Sequence, residues 1–152
     1  MTVVCVGAHP DDPESGCGGT LARYAALGHA VTVVYVTRGE RGISGKSLDE
    51  AAKIRSAECE TACKIIGAKP VFFGQIDGAT EVTRPQVDAM SRLLAATRPD
   101  VVFAHGSQDG QGIWRQHHAI MAQWRGREVG VLAAEAFVHL NRDHHTSDMP
   151  GL

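Results

Sequence analysis

The chain has no surplus of positive charge. Fifteen Lys and Arg face 17 Asp and Glu, for a formal net charge of -2. Without a basic patch to meet phosphates, nucleic acid is excluded as a general partner. Long hydrophobic runs are missing too. The longest apolar stretches, such as "VTVVYV", are far too short to span a bilayer. The start, "MTVVCVGAHP", carries neither a basic segment nor a long apolar one, so no signal peptide and a cytoplasmic location are expected. Cysteines are few, and none forms a C-x-x-C pair. Cys59 and Cys63 share a helix face, Cys5 and Cys17 lie far upstream, and reduced thiols are expected rather than a cysteine zinc site. Internal repeats and low-complexity tracts are absent.

What is present is an ordinary globular composition, 43% hydrophobic and 21% charged over 152 residues. That length favours one domain with a real core. Continuous apolar runs alternate with helical segments. "VVCVG", "HAVTVVYVT", "KPVFFG" and "DVVFAHG" read as strands. "GCGGTLARYAALG" reads as a glycine-rich turn feeding a helix that stops at Gly28. Helical period runs from Ser47 to about Gly67, with Ser47 and Glu50 at capping-box spacing. A third helix is expected in "TRPQVDAMSRLLAATRP". The pattern predicts an α/β fold, a single Rossmann-like domain with a mostly parallel sheet flanked by helices. The domain is expected over 1–140, with a polar tail over 141–152.

The polar residues gather after strands: His9 to Glu14, Arg38 to Glu40, Asp77, and His105 onward. Right-handed crossovers bring the strand C-termini to one edge, where ligands of open α/β sheets bind. Four loops are therefore expected to converge on one site. In the first, imidazole and carboxylate at His9 and Asp12 are both ordinary zinc ligands. Asp11 stays free to act as a base on a metal-bound water. An exposed acidic turn capping a helix is the rival, but it explains neither His9 nor the other three loops. A phosphate-binding loop is disfavoured: Asp11, Asp12 and Glu14 repel phosphate, and "GCGGT" misses both G-x-G-x-x-G and the P-loop.

"AHPDDPESGCGGTLA" resembles the signature of the PIG-L/LmbE-like family of zinc-dependent N-deacetylases: A-H-P-D-D-x-E, then G-G-T opening a helix. "VTRGERG", "IRSAECETACKIIGA", "GQIDGATEVT" and "RPDVVFAH" match further family segments in order, so the resemblance covers residues 1 to 106. It implies a hydrolase that removes an N-acetyl group from an amino-sugar-type substrate. His9 and Asp12 would hold zinc, or another divalent metal, and Asp11 would be the general base. Zinc would polarise the amide carbonyl while Asp11 handles the protons of water and leaving amine. Arg55 and Asp77 are implied in contacts with sugar hydroxyls; Glu40, from its place after the second strand, is expected either to touch substrate or to order its loop. Glu14 is expected to orient the metal ligands by hydrogen bonds, with a first-turn helix acid as the rival. The rival for Arg55 is a surface ion pair with Glu58; for Asp77 it is a turn residue.

The family's third ligand follows the fourth strand in H-x-x-H, and here the pattern changes. Setting "IWRQHHAI" against that motif places His117 on the ligand and Trp114 on the first histidine. A gapless alignment instead places Gln111 on the first histidine and Trp114 on the ligand, leaving the site one ligand short. His117 is taken as the metal ligand because it opens a helical stretch; His105 and His118 are further donors. A core role is the rival for Trp114. His29 and His139 are expected to be structural, and His144 and His145 solvated. The chain is short for the family, so a truncated or altered C-terminal segment is expected. The alternative function is an impaired relative that binds ligand without turnover. The expected partner is a small N-acetylated sugar or glycoconjugate, and a homo-oligomer is left open.

Overall fold

Apolar segments, valine-rich in all but the third, form the strands in the computed structural model, which describes residues 1–104. The β-branched side chains suit a pleated, buried surface. The order is β1 (Thr2–Gly7), α1 (Asp12–Ala26), β2 (Ala30–Thr37), α2 (Leu48–Ile66), β3 (Lys69–Gln75), α3 (Arg84–Thr97) and β4 (Val101–Ala104). The four strands make one sheet in the order β3-β2-β1-β4. Every strand pairing among the described residues is parallel. The α/β, parallel-sheet expectation therefore holds. The chain runs one way from β1 to β3, then returns past both to lay β4 on the other side of β1. The topological switch point lies between β1 and β4. The loop after β1, which carries His9, opens beside it.

Alternation along the strands divides the buried residues between two faces. Val3, Cys5, Val31, Val33 and Tyr35 pack with Cys17, Leu21 and Tyr24 of α1 and with Cys59 and Cys63 of α2. Val4 and Val34, also fully buried, point the other way. A right-handed crossover from β3 to β4 predicts α3 on that second face. Among the described residues no helix is long and apolar enough to cross a membrane. All four cysteines are free and buried.

α1 begins earlier than the glycine-rich stretch implied. It opens at Asp12, with Asp11 as N-cap and Pro13 in the first turn, where its missing N–H costs nothing. The expected turn survives as a kink at Cys17 (φ -151°, ψ 21°). α2 starts as read: the Ser47 side chain accepts from Glu50 N–H, and the Glu50 carboxylate accepts from Ser47 N–H at 3.1 Å. It ends on Gly67 in the left-handed conformation. The expected His117 ligand, its rivals His105 and His118, Trp114, His139, His144, His145 and the 141–152 tail lie outside the described residues.

Candidate active site

The site is built where the ends of β1, β2 and β3 are stitched together. Thr37, at the end of β2, is 1% exposed. Its hydroxyl and its backbone N–H donate to the Ala8 carbonyl at 2.9 and 3.0 Å. The loop carrying His9 is thus pinned to β2. β1 must also pass close to α1: a Cβ on Gly7 would sit 2.6 Å from the Pro13 ring, so only glycine fits there. On the far side, β3 carries one extra residue. Tyr35 pairs with Phe72, but Thr37 pairs with Gln75. Gly74, at φ 94°, makes this bulge. The bulge re-aims the end of β3, and Asp77 arrives against the first loop.

His9 is the meeting point. Its backbone N–H donates to Asp12 Oδ2 at 2.7 Å, and its Nδ1 lies 3.4 Å from the same oxygen. Its Nε2 lies 3.2 Å from Asp77 Oδ1. Two donors of one tetrahedral zinc, each about 2.0–2.2 Å from the ion, are separated by about 3.3–3.6 Å. The His9 Nδ1 to Asp12 Oδ2 separation has that length. The pair fits two adjacent corners of a metal site, and its imidazole and carboxylate chemistry fits zinc. Among the described residues no group of three or more His, Cys, Asp or Glu converges on one point.

Asp11 points elsewhere. It sits at φ 89° and ψ -26°, a left-handed conformation that is strained for a residue with a Cβ. Its side chain is 70% exposed, and Oδ2 takes a 2.9 Å bond from Arg55 Nη2. The same nitrogen donates to the Pro10 carbonyl at 2.8 Å, while Nη1 pairs with Glu58 Oε2 at 2.6 Å. Partial burial works against the Arg55 charge, but Asp11 and Glu58 outweigh it and hold the guanidinium above its ordinary value. Arg55 therefore clamps the strained turn. It contacts Glu58, as the rival reading had it, and also reaches the first loop.

Glu40 is 3% exposed. Its Oε2 accepts the Asp77 N–H at 3.1 Å, so its observed contact orders the loops. Arg38 Nε stands 3.5 Å from Oε1, an ion-pair separation, yet that buried oxygen has no hydrogen bond among the described residues. Glu14 turns inward, where Oε1 accepts from the Tyr35 hydroxyl and Oε2 is buried with no hydrogen-bond partner among the described residues. Its neighbours are the thiols. Burial first, then the Glu14 charge, pushes Cys59 up to about 12. The placement of Glu14 beside Tyr35 differs from the expected bond to the metal ligands. Arg41 was not singled out from the sequence. Its backbone N–H donates to Asp77 Oδ2 at 3.2 Å, and its Nε donates to the Asp77 carbonyl at 2.8 Å. Its place in "RGERG", inside the matched second loop, was the only available signal.

Comparisons with known proteins agree with this layout. The family model described as "PIG-L: GlcNAc-PI de-N-acetylase" matches residues 4–125. A 1D-myo-inositol 2-acetamido-2-deoxy-alpha-D-glucopyranoside deacetylase of Actinosynnema mirum is 30% identical over 172 residues, taking in 95% of this chain and 58% of that protein. The chain thus spans little more than half the length of that curated relative. Among solved structures, the 4-carboxy-2-hydroxymuconate hydratase of Pseudomonas putida superposes with a TM-score of 0.69 at 23% identity, covering 92% of this chain and 62% of the other. The N,N'-diacetylchitobiose deacetylase of Pyrococcus horikoshii gives 0.67 at 24%, covering 90% and 58%. At such identities the superpositions show a shared fold, and that fold hosts both a hydratase and a deacetylase. With the family model matched over most of its length, this chain belongs to the PIG-L family.

Proposed function

We propose that this chain carries a metal-dependent N-deacetylase that removes an acetyl group from a small N-acetylated sugar or glycoconjugate. The observation that supports this reading best is the spacing of His9 Nδ1 and Asp12 Oδ2, 3.4 Å apart at the strand edge, with Asp11 held off them by Arg55. The named activity of the Actinosynnema mirum relative supports the substrate class. His9 and Asp12 would hold zinc, or another divalent ion, with His117 as third ligand. Such an ion supplies Lewis acidity toward the amide carbonyl and toward water. The chain's own residues do the rest. Asp11 takes a proton from water and later returns it to the leaving amine. Arg55 fixes the direction of that carboxylate. Asp77 and Glu40 shape the opposite wall, where sugar hydroxyls would be read. Four buried free thiols suit a reducing compartment, which supports a cytoplasmic location.

The test is to strip the protein of metal, titrate zinc, and assay amine release from N-acetylglucosamine-type substrates. One zinc per chain and zinc-dependent release are expected. A wild-type chain that binds no zinc would sink the reading; zinc binding without release would leave only the impaired relative. His117→Ala should abolish tight binding. If His105→Ala or His118→Ala does so instead, the third ligand is that residue. So that adventitious metal on His144 and His145 is not counted, the titration is repeated with both changed to alanine.

A further inference from the structure

We propose that Asp77 is the positioning residue that selects the tautomer of His9, an inference that rests on the deacetylase reading. A carboxylate only accepts hydrogen bonds. The 3.2 Å approach of Asp77 Oδ1 to His9 Nε2 is a hydrogen bond only with the proton on Nε2. With Nε2 protonated, the neutral ring presents its Nδ1 lone pair toward Asp12 Oδ2, 3.4 Å away. Two acceptors facing each other at that distance repel, unless a cation lies between them. Of the two neutral tautomers, the contact with Asp77 thus selects the one that serves as a ligand beside Asp12, and it turns the ring so that Nδ1 faces that carboxylate.

Asp77 is itself held too firmly for this contact to be incidental. Its N–H donates to the buried Glu40 carboxylate at 3.1 Å. Its second carboxylate oxygen accepts Arg41 N–H at 3.2 Å, and its carbonyl accepts Arg41 Nε at 2.8 Å. The side chain is 16% exposed, against 49% for His9. The less exposed and more heavily bonded partner orients the other. The bulge at Gly74 supplies the offset that brings β3 within reach. Carboxylate partners of ligating histidines fix ring orientation in this way, and removing one typically weakens metal binding about 10- to 100-fold. A residue that only contacts sugar hydroxyls would leave both metal affinity and tautomer untouched.

The experiment uses the full chain labelled with 15N-histidine, as wild type, Asp77→Asn and Asp77→Ala. Asn keeps the backbone bonds to Glu40 and Arg41 and remains close in shape, so it guards against misfolding. Ring 15N shifts, read at pH 8.5 without metal and assigned through His9→Gln, should show His9 protonated at Nε2 in the wild type. That preference should be reduced in Asp77→Asn and lost in Asp77→Ala. Zinc affinity, measured by competition with a chelator, should fall about 10- to 100-fold in Asp77→Ala and less in Asp77→Asn. An Nδ1-protonated ring in the wild type, or a tautomer and affinity unchanged in both variants, overturns the proposal. If the wild type shows the Nε2–H tautomer but takes up no zinc, the positioning contact stands and the deacetylase reading fails.

Discussion

Asp11 combines exposure, strain and a fixed partner. At φ 89° a side chain with a Cβ is strained, and glycine is not. Asp11→Gly should therefore be more stable than Asp11→Ala by about 1 kcal/mol, although both lack the carboxylate. Chemical denaturation of the two variants checks this; equal stabilities would mean that the turn relaxes without cost. Arg55 holds three groups at once, which a lysine cannot copy with its single ammonium. Arg55→Lys is expected to keep the fold and lower turnover at least about tenfold through a misdirected Asp11. The buried thiols give a pH signature. Cys59 is raised by burial, and next by Glu14, from an ordinary 9.0 to about 12. A folded value above the unfolded one means a stabilising contribution that is full below about pH 9 and lost as pH rises toward 12. Thermal melts should show a midpoint that falls above about pH 9, more steeply in the wild type than in Cys59→Ala. A midpoint flat to pH 11 would contradict it.

Elements carry the loops. The Ser47–Glu50 box anchors the start of α2, the helix that delivers Arg55. The bond from Ser47 N–H, then the one from its hydroxyl, holds the Glu50 carboxyl below its usual range. A lowered value means stability that is present above the ordinary carboxylate range and lost as pH falls through the folded value. Ser47→Ala should cost about 1 kcal/mol in denaturant melts at neutral pH, with a smaller difference in acid. Gly7→Ala sets a methyl against the Pro13 ring, and overpacking of that kind costs about 1–3 kcal/mol. These features differ in how far the sequence exposes them. Strand and helix positions follow from apolar periodicity, and the capping box from two residues three apart. The early start of α1 was hidden because "DDPESG" reads as loop: its helical character comes from the tolerance of Pro13 in a first turn. The bulge in β3 left only Gly74 as a mark, and a lone glycine in a strand does not say which way the chain turns.

At the scale of the molecule, the strand order makes the site. Because β4 lies beyond β1, the first loop stands at the switch point, with the β2 and β3 loops beside it on one flank. That convergence is legible from alternating elements and the handedness of crossovers. The partners of each charge are not. Asp77 meets His9 across 68 positions of sequence, and Glu40 turns inward to Asp77 rather than outward, because burial and register decide direction after topology has decided proximity. Glu14 shows the same limit: its place in the motif points to the metal ligands, while the packing of α1 on α2 turns it to Tyr35. The most direct measurement is the rate of acetate release from an N-acetylated amino sugar by zinc-loaded wild type and by Asp11→Asn at equal zinc occupancy. A general base contributes about 10²- to 10⁴-fold, so a ratio in that range is expected. Equal rates in the two proteins, or no release by a zinc-loaded wild type, would contradict an Asp11-assisted deacetylase.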